Sequence, residues 1–89
     1  MLKQEIKIIN KLGLHARASS KFTQTATQFS SEVWVTRKER RVNGKSIMGV
    51  MMLAAARGTR LELCASGPEA EQVLEQLDDL VRRRFDEDE

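Results

Sequence analysis

His15 is the only histidine in a chain of 89 residues. It follows Gly13-Leu14 and stands where a stretch of helical spacing begins. The first backbone N–H groups of a helix have no intrahelical partners and carry partial positive charge. They form a ready anion site. An unprotonated imidazole there keeps a ring nitrogen lone pair and can act as a nucleophile. A phosphoryl group on that ring would meet the amides of Ala16, Arg17 and Ala18. Arg17 adds a fixed cation whose fork geometry suits phosphate. Position alone also fits a surface histidine beside an unrelated arginine, and short local patterns leave both readings open.

Other chemistries find fewer of their parts. A zinc site needs three or four ligands, and His15 and Cys64 are the only strong nitrogen and sulfur donors, so no metal is expected. A Ser–His–acid triad has Ser19 and Ser20 nearby but no nucleophile elbow. Gly44-Lys45-Ser46 resembles the end of a P-loop, but the earlier glycine would fall at Glu39 and no apolar strand feeds it. No cofactor is implied. Fifteen basic and 13 acidic residues leave a net charge of +2, too mild to imply nucleic acid. The aromatics Phe22, Phe29, Trp34 and Phe85 are too scattered for a base-stacking platform. The single Cys64 forms no internal disulfide and reads as a small, partly buried strand thiol. The longest apolar run, Ile47 to Ala56, falls well short of the roughly 20 residues that span a bilayer. The charged start, Met1-Leu2-Lys3-Gln4-Glu5, lacks a signal-peptide core. A cytoplasmic protein without membrane insertion is expected.

The elements that must position His15 follow from periodicity. Leu2 to Ile9 alternates, with Leu2, Ile6 and Ile8 on one face and Lys3, Glu5 and Lys7 on the other, as in a half-solvated strand. Asn10 to Leu14 is a loop turning at Gly13. From Ala16 to Phe29, Ala18, Phe22, Ala26 and Phe29 form one helical stripe. Val33 and Val35 alternate in a second strand, and the turn Arg37-Lys38-Glu39 leads into a third, Arg40 to Asn43, as a hairpin. A helix from Ile47 to about Leu53 begins at Ser46, a good N-cap. Leu61, Leu63 and Ala65 mark a fourth strand. Ser66 and Glu69 have capping-box spacing, and Ala70, Val73, Leu74, Leu77, Leu80 and Val81 define a final helix. Arg82-Arg83-Arg84 suits that helix's C-terminus, and the acidic end is expected to fray. The order β-α-β-β-α-β-α gives one α+β domain over residues 1–89, an antiparallel sheet covered on one face by helices.

The segment Lys45-Ser46-Ile47-Met48-Gly49-Val50-Met51-Met52-Leu53 is apolar on nearly every side. A small domain cannot bury such a helix all round. Lys45, Ile47, Met48 and Met51 are therefore candidates for a docking surface that adapts to more than one protein. Met52 is expected in the core.

Together, Gly13-Leu14-His15-Ala16-Arg17-Ala18 and Asn43-Gly44-Lys45-Ser46-Ile47-Met48-Gly49-Val50-Met51, about thirty residues apart in a chain of this length, resemble the HPr family of phosphocarriers of the bacterial phosphoenolpyruvate-dependent phosphotransferase system. The resemblance implies an open-faced β-sandwich of four antiparallel strands and three helices. It implies that His15 takes phosphate at Nδ1 from phosphorylated enzyme I and gives it to IIA-type proteins, with Arg17 assisting. It implies a phosphoryl carrier with a transient phosphohistidine, working as a monomer. Ser46 matches the site modified by HPr kinase/phosphorylase in lineages that have that protein. A carrier in the nitrogen-related branch, and a regulatory binding module controlled at Ser46, are the alternative readings. Ala18 departs from the many relatives that carry proline there; alanine keeps a helix-compatible backbone.

Overall fold

The computed structural model describes residues Met1–Glu89. Alternation in the strands resolves into one sheet. β1 (Leu2–Lys7), β2 (Glu32–Arg37), β3 (Arg40–Asn43) and β4 (Arg60–Ser66) lie in the order β1-β4-β2-β3, every neighbour antiparallel. The register sets Ile6 opposite Leu61, Val35 opposite Leu63 and Val33 opposite Ala65. With a side-chain period of two, these residues share the covered face. Lys3, Cys64 and Trp34 line up across the other, where the Arg41 guanidinium stacks 4.5 Å from the Trp34 ring centre. Cys64 is buried there, and its thiol is pushed up by burial first and then by the neighbouring Glu62 carboxylate.

Three helices cover the inner face: α1 (Ala16–Thr27), α2 (Ile47–Met52) and α3 (Ala70–Arg82). α1 buries Ala18, Phe22 and Ala26, and α3 buries the whole expected stripe from Ala70 to Val81. The open-faced α+β architecture is the expected one. α1 stops two residues short of Phe29, which still packs against the core from outside the helix.

Three expectations need correction. Met52 is not in the core; it is 59% exposed. At about 100° per residue, Val50 and Leu53 point inward, so Met48 and Met52 fall on the opposite side of α2. Ser66 does not cap α3, because it pairs with Glu32 in the β4 ladder and the chain turns through Gly67 and Pro68 before the helix begins. Glu69 is the N-cap instead. Its N–H donates to Ser31 Oγ (2.9 Å) and its carboxylate accepts from the Ser30 N–H (2.7 Å). The third correction concerns the acidic end, which is folded back. After α3 a short 3₁₀ turn, Arg84–Asp86, carries Phe85 into the core at 0% exposure.

That turn departs from ordinary geometry, with φ of +56° at Arg84, +54° at Phe85 and +63° at Asp86. A non-glycine residue in this region costs about 1–2 kcal/mol. Burial of the Phe85 ring offsets part of that cost, at about 1.5–3 kcal/mol. Lys21 Nζ on α1 donates to the Phe85 carbonyl (2.7 Å), and Arg83 pairs with Asp86 (2.8 Å).

The loop before α1 is tied at several points. Leu14 N–H donates to the Ala55 carbonyl (2.9 Å), and buried Asn10 donates from Nδ2 to the Gly13 carbonyl (2.8 Å). Gly13 has φ +68°, and a Cβ there would lie 2.4 Å from the Ala55 oxygen. Strain and collision act together, so Gly13→Ala should destabilise the domain by more than about 1 kcal/mol. Urea unfolding measures the change, and an unaltered midpoint would contradict it.

Candidate functional site

α1 starts at Ala16 because His15 leaves the helical region and caps it. His15 has extended angles, φ −75° and ψ 179°, and its carbonyl accepts the first intrahelical bond from Ser19 N–H (2.8 Å). A histidine here does what serine or aspartate usually does at an N-cap. The Arg17 N–H donates to His15 Nδ1 (3.3 Å). The other ring nitrogen, Nε2, meets Glu87 Oε2 from the folded-back tail. These partners specify the tautomer: a nitrogen that faces an N–H donor is bare, and one that faces a carboxylate carries the proton. Nδ1 is thus the nitrogen with the lone pair.

Glu87 is itself held. Its Oε1 accepts from Asn10 Nδ2 (3.0 Å), so the Asn10 amide bonds both the loop carbonyl of Gly13 and the tail carboxylate. Burial would raise the Glu87 pKa, but hydrogen bonds from Asn10 and His15, then the charges of His15 and Lys21, outweigh it and hold the carboxyl below the ordinary glutamate value. The next residues extend the contact, with Lys11 N–H bonding the Glu89 carbonyl and Lys11 Nζ lying 3.4 Å from Glu89 Oε2.

The ring stands in an open depression lined by Lys11, Leu12, Arg17 and Glu87–Glu89. Its side chain is 29% exposed. Arg17 is exposed, and no carboxylate pairs with it. The Ala18 side chain is fully buried, and its amide has no partner among the loop and cap bonds. Of the three amides expected to form a cradle, those of Ala16, Arg17 and Ala18, the Arg17 amide is the one bonded to Nδ1. Asn10 and Glu87 were not among the residues the sequence singled out. Asn10 reads as an ordinary turn residue, and Glu87 is one of several acids in the final segment, 72 positions from His15.

The second motif lies on α2. Ser46 caps it, accepting from the Gly49 N–H at Oγ (3.1 Å). Ile47, Met48, Met51 and Met52 are all exposed. Lys45 is turned from this patch toward α1, where Nζ donates to the Phe29 carbonyl (2.7 Å). The far end of α2 is clamped by arginines: Arg37 donates to the Leu53 carbonyl (2.7 Å) and Arg40 to that of Met52 (3.0 Å). Ala55, three residues past the end of α2, accepts from Leu14 and so ties the α2 segment to the His15 loop through the backbone. No helix is long and apolar enough to cross a membrane.

The fold and site define a small open-faced α+β domain whose one histidine stands in an open depression. Comparison with known proteins names its family. The family profile described as the PTS HPr component phosphorylation site matches residues 2–83. The phosphocarrier protein HPr of Neisseria meningitidis is 64% identical over 89 residues, covering all of both chains. That of Cupriavidus necator is 51% identical, again over all of both chains. The crystal structure of HPr-C-His from Thermoanaerobacter tengcongensis superposes with a TM-score of 0.96 at 43% identity, covering all of each chain. The chain belongs to the HPr family of phosphocarriers of the phosphotransferase system. Proteins of this family carry a phosphoryl group and are not themselves catalysts of turnover.

The low Glu87 pKa makes the tail acid-sensitive. A carboxyl depressed in the folded state stabilises it above the unfolded value and loses that contribution as pH falls through the folded one. The charged groups facing Glu87 are His15, Lys11, Arg17, Lys21, Asp88 and Glu89. The stability advantage of the wild type over Glu87→Ala should be full at neutral pH. It should shrink once the pH drops below the ordinary glutamate value of 4.5. Paired denaturant titrations at neutral and acid pH check this, and a difference that grew on acidification would reverse the sign.

Proposed function

We propose that His15 accepts a phosphoryl group at Nδ1 from phosphorylated enzyme I and passes it to IIA-type proteins. The observation that carries this reading is the bare Nδ1 of the sole histidine, accepting from the Arg17 amide in the first turn of α1, with the Arg17 side chain unpaired beside it. The Nδ1 lone pair forms a bond to phosphorus as the donor's P–N bond breaks, and that bond's electron pair returns to the donor nitrogen. The phosphoryl oxygens then take the place of Nδ1 as acceptor for the Arg17 amide and offer acceptors to those of Ala16 and Ala18, while Arg17 neutralises charge that grows in the transition state. The onward step is the same displacement with this ring as leaving group. The site is shallow because both reactions bring a second protein's side chain to it. The protein works in this scheme as a monomer in the cytoplasm, and the identity of the final acceptor separates sugar from nitrogen branches.

His15→Ala should abolish labelling by enzyme I and phosphoenolpyruvate without loss of fold. The wild type should acquire an acid-labile phosphoramidate visible by ³¹P NMR. Arg17→Ala should slow labelling and leave the melting temperature unchanged. Acid-labile phosphate on the His15→Ala protein would overturn the assignment.

The exposed Ile47, Met48 and Met51 supply an apolar docking area, and acidic groups on partners answer Arg17; Lys45, expected on the same face, is engaged at the Phe29 carbonyl instead. Ser46 stands at one end of this area, where HPr kinase/phosphorylase could modify it. A negative charge suits an N-cap, but it would face the acidic groups of an approaching partner. Ser46→Asp should therefore keep the fold and weaken transfer from enzyme I, most clearly at low salt. Equal transfer kinetics for the two proteins at low ionic strength would refute this.

A further inference from the structure

We infer that Glu87 is the positioning residue for His15: its carboxylate holds the ring proton on Nε2 and so dedicates Nδ1 to phosphoryl transfer in both directions. This rests on the reading of His15 as the acceptor. The geometry is that of an oriented imidazole. Oε2 meets Nε2, Oε1 is fixed by fully buried Asn10 at 3.0 Å, and Nδ1 is left to the Arg17 amide. A carboxylate on the far nitrogen sets both tautomer and ring plane, as it does behind metal-bound and nucleophile-activating histidines.

The tail is built to deliver that carboxylate. Three consecutive non-glycine residues adopt left-handed angles, Phe85 is sunk in the core, and Lys21 clasps its carbonyl. A loosely held acidic end would carry none of these features. The lysine and the buried ring fix the turn, and the turn fixes the first residue after it.

The chemistry gives the arrangement a use on both sides of the transfer. When Nδ1 bonds to phosphorus and the donor's P–N bond breaks, Nε2 keeps its hydrogen, so the phosphorylated ring is formally cationic. Glu87 faces that charge and remains a carboxylate throughout. On the way out, the Nδ1–P bond breaks toward a ring that needs no further proton to leave as neutral imidazole. Without Glu87 the proton can move to Nδ1 in the resting protein, which blocks the nucleophile. It can also leave Nε2 of the phosphorylated ring, which makes a poorer leaving group.

The opposite role is also conceivable on the same contact: a tail that plugs the site and must be displaced. The two differ in the sign of the effect. The test uses the full-length wild type, Glu87→Ala and Glu87→Gln, with ¹⁵N-labelled histidine. Ring ¹⁵N shifts of the unprotonated imidazole should show the Nε2–H tautomer in the wild type and a mixture in Glu87→Ala. Glu87→Gln, which keeps an acceptor without charge, should fall between. Phosphorylation rates from enzyme I should drop about tenfold or more in Glu87→Ala. A near-UV spectrum and melt that match the wild type show that Phe85 still anchors the turn. If Glu87→Ala fails to fold, Glu87→Gln decides on the same two readouts. An unchanged tautomer, or an unchanged or faster rate in the folded variant, overturns the proposal; a faster rate identifies a plug. A wild type that shows the Nε2–H tautomer yet takes up no phosphate fails the acceptor reading itself, and the inference with it.

Discussion

An imidazole offers a nucleophilic nitrogen only while its proton sits on the other one, and here two partners of opposite polarity divide the ring between them. The Arg17 amide, a donor, faces Nδ1, and the Glu87 carboxylate, an acceptor, faces Nε2. Neither partner would matter if the ring could swing. The backbone of His15 is fixed by its capping role, and the loop before it is fixed by Asn10, Gly13 and the bond from Leu14 to Ala55. Buried hydrogen bonds of this kind contribute modestly to net stability but are costly to leave unmade. They serve better as constraints on geometry than as sources of stability.

The same constraint joins the histidine to the methionine patch. Arg37 and Arg40 reach from the β2–β3 hairpin to the last carbonyls of α2 and satisfy the orphan acceptors at a helix end. Ala55, just beyond that end, is the residue that Leu14 binds. The sheet therefore positions α2, and the end of α2 positions the loop that carries His15. The six residues of α2 are too few to be stable alone, so tertiary clamps do what helix propensity cannot.

Much of this was legible in the sequence. Period-two alternation located three strands and the tight turn after β2 a fourth, a 3.6-residue stripe located α1 and α3, and Ser46 announced the start of α2. His15 stood out in the sequence because it is the only histidine and it opens a helix, and the structure places it at that helix's N-cap. What escaped reading has a common cause. Glu87, Ser31 and Met52 are placed by contacts between segments far apart in the chain or by a competition between faces. Ser66 had the spacing of a capping box, but a serine already paired in a ladder cannot also cap a helix three residues on. The tail was read as frayed from its composition of acids. Nothing in Arg84-Phe85-Asp86 signals a left-handed turn, since glycine and asparagine are the usual markers of that region. The single cue was Phe85, a large apolar residue beyond the last expected helix, whose burial fastens everything after it.

The folded tail also resolves a conflict in the charge distribution. Four acids, Asp86 to Glu89, close the chain beside a site that would have to accept an anion. Left free, they would repel it. Instead Asp86 lies against Arg83 and Lys21, Glu87 against His15 and Asn10, and Glu89 against Lys11. Surface pairs of this sort contribute little to stability, about 0–1 kcal/mol each. Their effect on the local field is larger, because at physiological salt a charge is felt over only about 8 Å. Within that range Asp86 and Glu89 are matched by cations, Glu87 is held by Asn10 and His15, Asp88 has no ion pair, and Arg17 is left without a carboxylate. On the Nδ1 side the Arg17 amide and an unpaired guanidinium supply the polarity a phosphoryl group requires, while the Glu87 carboxylate acts from the Nε2 side.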